Sequence, residues 1–61
     1  MELTLQAIEQ QLNDGIERTP EEHKKCLEWL AEFCTANQIS LKELNELCWD
    51  DSDWVFSQIF G

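Results

Sequence analysis

Sixty-one residues with thirteen acids, four Lys or Arg and a formal net charge of −9 exclude a surface built to neutralise phosphates, which needs clustered bases to release counterions. A basic protein is the better electrostatic match. A chain of this length buries only about 60% of the surface it exposes when unfolded, so its three Trp and three Phe weigh heavily in any core.

A hydrophobic fraction of 43% with helical periodicity separates the chain from disordered acidic tails. Two glycines, one proline and no run of alternating β-branched residues predict an all-α fold. The expected architecture is one domain, 1–61, a compact bundle of three to four short helices. Three cysteines cannot all pair within one chain, and no signal-peptide or membrane-spanning run is visible, so a reducing cytoplasm and no membrane are expected.

Thr4 caps a first helix in which Leu5, Ile8 and Leu12 form one apolar stripe, leaving Gln6, Glu9, Gln10 and Gln11 for water. Gly15 supplies the freedom in φ that ends it near Asn13, and Ile16 folds back as an apolar anchor. A short connection then makes a hairpin with the second helix.

That second helix, about 20–37, is the expected centre of the fold. Thr19 is its N-cap, Pro20 its first residue, and Glu22 completes a capping box. Cys26, Leu27, Trp29, Leu30, Ala31, Phe33, Cys34 and Ala36 span more than half its circumference, with Glu21, Lys24, Lys25, Glu28, Glu32 and Thr35 facing water. So wide an apolar surface needs covering on two sides, by other helices or by a second copy. Asn37 tolerates the left-handed conformation and is expected to end it.

Ser40 and Glu43 form a second capping box, with Ile39 and Leu44 in the hydrophobic-staple positions. Leu41, Leu44, Leu47 and Cys48 give the third helix its stripe, which ends around Trp49. Asp50, Asp51 and Ser52 are successive N-cap candidates for a fourth helix, and Asp53 falls in its first turn. Val55, Ile59 and either Phe56 or Phe60 form its core stripe, with Trp54 at the edge.

The pair of helices over 40–60 has a helix-turn-helix outline, but its chemistry opposes DNA reading. Asp50, Asp51 and Asp53 stand where donors to phosphates and base edges are needed, and from Glu43 to Gly61 there are five acids and no Lys or Arg. His23 and Cys26 lie one turn apart and could reach one ion, whereas Cys26 and Cys34 are about 12 Å apart along the axis and can share neither a zinc nor a disulfide. Free cysteines serving as small core residues are the simpler reading. A calcium loop starting at Asp50 would place Val55 where Gly belongs and Gly61 where the bidentate Glu belongs, so capping is the expected use of these acids. No catalytic constellation, cofactor motif or metal set emerges, and an enzyme is not expected.

What remains is an acidic, aromatic stretch, with Glu46, Trp49, Asp50, Asp51, Asp53 and Trp54 as candidate partner-binding residues. Exposed tryptophans ringed by carboxylates make an anchor for a basic, partly apolar protein surface. If the rings instead close the small core, the acids only cap and solubilise. The leading expectation is a small non-enzymatic regulator or inhibitor docking on a basic protein, in one version by DNA mimicry, with no direct nucleic-acid binding. Small size and acidity suit an accessory protein of a phage or mobile element, by association alone. The alternatives are a dimeric helix-turn-helix regulator and a structural homo-oligomer, a homodimer in the simplest case.

Overall fold

The computed structural model describes residues 2–61 and forms four helices among them: α1 Leu5–Leu12, α2 Pro20–Asn37, α3 Leu41–Asp50 and α4 Ser52–Phe60. Three of the four starts are fixed by side-chain caps. Thr4 Oγ1 accepts from the Ala7 amide at 3.1 Å, and Thr19 and Glu22 close both halves of the expected capping box, at 3.2 and 2.9 Å. At Ser40 only the forward half forms: its hydroxyl accepts from the Glu43 amide at 3.2 Å, while the Glu43 carboxylate meets that hydroxyl rather than the Ser40 backbone N–H. The second box is therefore half closed.

The left-handed residue ending α2 is Gln38, with φ 52 and ψ 44, one position later than expected. Its amide bonds Thr35 O at 3.3 Å and the Ile39 amide bonds Cys34 O at 3.2 Å, the pair of bonds that defines a Schellman ending. Asn37 instead stays helical and donates its side-chain amide to Phe33 O at 2.9 Å. Gly15 has φ +78 and nothing within 4 Å of where a Cβ would stand, so this turn needs glycine for its backbone angle and not for space.

The core is built from one i, i+4 pair per helix: Ile8 and Leu12, Cys26 and Leu30, Leu44 and Cys48, Val55 and Ile59. α2 packs against α1, α3 and α4, and α3 packs against α1, α2 and α4, so the expected central position of α2 is shared with α3. The radius of gyration, 10.7 Å, matches the roughly 10.5 Å of a folded chain this long. Every α2 residue assigned to water is exposed, but its apolar surface is covered less widely than its composition suggests: Cys26 and Leu30 are buried, Leu27, Trp29, Ala31, Phe33 and Cys34 half-buried, and Ala36 exposed.

Two further expectations are corrected. Ile16 does not fold back as an anchor and is exposed. Glu9, placed on the wet face of α1, is 3% exposed, because α2 packs over that side and supplies His23 as a polar partner, with Asn13 at the end of α1 supplying another. None of the Trp or Phe rings belongs to the fully buried core: Trp29, Phe33 and Phe56 pack against it half-buried, and Trp49, Trp54 and Phe60 are exposed.

A candidate partner-binding face at the α3–α4 junction

A single residue, Asp51, separates α3 from α4, so the backbone passes from one helix to the next without an extended residue. The three residues that do cap have ψ of 162, 160 and 164, whereas Asp51 has φ −129 and ψ 46. Extended backbone is what turns an N-cap side chain back over the first amides of its helix. Asp51 lacks it, and its carboxylate makes no capping hydrogen bond. The expectation that these acids cap α4 is thereby corrected. The Asp51 backbone is nevertheless engaged, its amide donating to Leu47 O at 2.8 Å and its carbonyl accepting from Val55 N at 3.0 Å.

Asp50 is the last residue of α3, at the negative end of the helix dipole, with no base in that turn. A carboxylate there costs about 0.3–1 kcal/mol rather than stabilising the helix. Glu46, Asp50, Asp51 and Asp53 are all exposed, and among the described residues no Lys or Arg forms an ion pair with any of them. Of the four Lys and Arg, Lys42 is exposed one turn before Glu46 without pairing with it, and the other three are used elsewhere. The Arg18 guanidinium lies 4.6 Å from the Phe60 ring centre and 5.0 Å from that of Phe56, Lys25 approaches Phe60 at 5.6 Å, and Lys24 faces Glu28 at 3.9 Å.

The two candidate tryptophans have different surroundings. Trp49 is 71% exposed and borders a shallow depression shared with Ala7, Gln10, Gln11 and Asp14. Trp54, 43% exposed, packs on α2. There Trp29 and Phe33, one turn apart, stack at 4.8 Å with 15° between their planes, and Trp54 meets both edge-on, at 6.1 Å and 72° and at 6.0 Å and 69°. The site thus brings Trp54 together with two aromatic residues of the wide apolar surface of α2, neither of them among the six candidates, and leaves Trp49 apart from them. Their i, i+4 spacing on α2 was visible; the approach of α4 was not.

A second polar cluster ties α1 to α2. Buried Glu9 accepts from Asn13 Nδ2 at 2.8 Å and meets His23 Nδ1, while Asn13 Oδ1 accepts from Arg18 Nε at 3.0 Å. The Asn13 amide also approaches Cys26 Sγ at 3.8 Å. His23 and Cys26, the pair one turn apart, are therefore engaged with different partners. Burial raises the Cys26 thiol above its ordinary value and pushes Cys48 up to about 11, which disfavours the thiolate at both. Among the described residues no group of three or more His, Cys, Asp or Glu gathers in a metal-binding arrangement. Nor is any described helix long and apolar enough to cross a membrane.

No protein-family model, curated protein or solved structure matches this chain.

Proposed function

We propose that this protein is a non-enzymatic interaction module, a regulator or inhibitor, that docks on a basic protein through the α3–α4 junction. One observation carries the reading: Glu46, Trp49, Asp50, Asp51, Asp53 and Trp54 are all exposed, and the fold makes no ion pair with these acids among its described residues. An acid at a helix C-terminus and a tryptophan outside the core both carry a cost in stability or solubility. A cationic, partly apolar partner offsets both at once. Mimicry of nucleic acid is the finer form of this proposal, with the junction carboxylates standing in for phosphates on a protein that ordinarily binds DNA or RNA.

The test is capture from native host lysate at low salt, comparing the wild-type chain with an Asp50→Asn, Asp51→Asn, Asp53→Asn variant. The expected result is a basic protein retained by the wild type, released by added salt and lost with the variant. Duplex DNA should displace it if mimicry holds. Equal retention by the variant removes the junction from the interface, and direct, salt-sensitive retention of the chain on duplex DNA overturns the reading as a whole.

A further inference from the structure

A notch of about 310 Å³ opens between Phe33, Leu47, Asp51 and Trp54. Its aromatic walls form a corner, since Trp54 stands roughly perpendicular to both members of the stacked Trp29–Phe33 pair. Leu47 adds an aliphatic wall. The remaining lining residue is Asp51, whose carboxylate the helix start leaves uncommitted. Three apolar walls and one anion describe a receptor for a side chain with an apolar stem and a cationic end.

We infer that this notch receives an arginine side chain of the basic partner. The inference rests on the proposed docking at the α3–α4 junction and names one contact within it. Arginine fits better than lysine because its planar, weakly hydrated guanidinium can lie against an aromatic ring while directing paired donors at a carboxylate. The same chain shows the first half of this chemistry internally, with Arg18 over Phe60 at 4.6 Å and over Phe56 at 5.0 Å. Among the described residues no Lys or Arg covers Trp29, Phe33 or Trp54, so the notch's aromatic corner is free for a cation from outside.

The test is an NMR titration of the full chain with N-acetyl-arginine methylamide at fixed ionic strength, with the citrulline counterpart as an uncharged isostere. The inference predicts saturable shifts at the Trp54 indole and the Leu47 methyls, a smaller response to citrulline, and little change at the Trp49 indole. Asp51→Asn, which removes no capping bond, should weaken arginine binding roughly 1.5- to fivefold, the range of an exposed ion pair. Equal shifts with citrulline, shifts centred on Trp49, or an unaltered Asp51→Asn titration would each overturn it. Failure here is distinguishable from failure of the docking proposal. A captured basic partner that perturbs Trp49 and leaves Trp54 and Leu47 unmoved removes the notch alone, whereas arginine binding in the notch without any captured partner removes the docking.

Discussion

The α1–α2 seam and the α3–α4 junction are both rich in polar groups, and they treat them in opposite ways. In the seam, the Glu9 carboxylate is buried and held by Asn13 and His23, and Asn13 is in turn held by Arg18. At the junction, Asp50, Asp51 and Asp53 are exposed, and Asp51 occupies an N-cap position without capping. Partnered polar groups inside a fold secure its geometry, while unpartnered charges on its surface are available to something else. The contrast assigns stability to one region and recognition to the other.

The largest expected effect tests the seam. Glu9→Ala removes the carboxylate that Asn13 and His23 share, while the Asn13 amide keeps its bond to the Glu9 carbonyl at 3.2 Å, and should cost about 0.5–1.5 kcal/mol in urea unfolding; a change within experimental error would mean the network is dispensable. A smaller change of opposite sign is expected at the junction. Asp50→Asn removes a charge from the unfavourable end of α3 and should raise stability by about 0.3–1 kcal/mol at low salt. Trp49→Ala should shift the unfolding midpoint hardly at all, by no more than about 0.5 kcal/mol, while weakening partner capture. A large loss of stability would instead make Trp49 a packing residue.

The smallest effect concerns pH. Glu22 has its carboxyl held below the ordinary range, chiefly by the Thr19 backbone N–H it accepts. A depressed folded-state value means that the box contributes fully above the ordinary glutamate range and loses that contribution as pH falls through the lowered value. The start of α2 should therefore loosen in acid, and this weak dependence should vanish in Glu22→Gln. Amide exchange at the first turn of α2 would report it.

Which features were legible in the sequence follows from how locally each is determined. Thr4, Thr19 and Ser40 cap as expected because each bond spans only three residues, and the four i, i+4 core pairs follow from helical spacing. Glu9 was misplaced because its partner His23 lies 14 residues away and comes within reach only when α1 packs on α2. Asp51 does not cap, against expectation, because capping depends on ψ, which the one-residue connection fixes. The six candidate residues are exposed, but the Trp29–Phe33–Trp54 corner depends on the packing of α4 against α2, which no local pattern specifies.

The measurement that bears most directly on the division between the two regions is equilibrium unfolding of the Asp50→Asn, Asp51→Asn double variant beside the wild type at low salt. If the junction acids serve recognition and not the fold, the relief at the α3 C-terminus and the lost attraction of Asp51 to the α4 N-terminus offset each other, and the variant unfolds at a urea concentration close to that of the wild type. A clearly lower midpoint would show that these carboxylates hold the helices together, and would contradict the account.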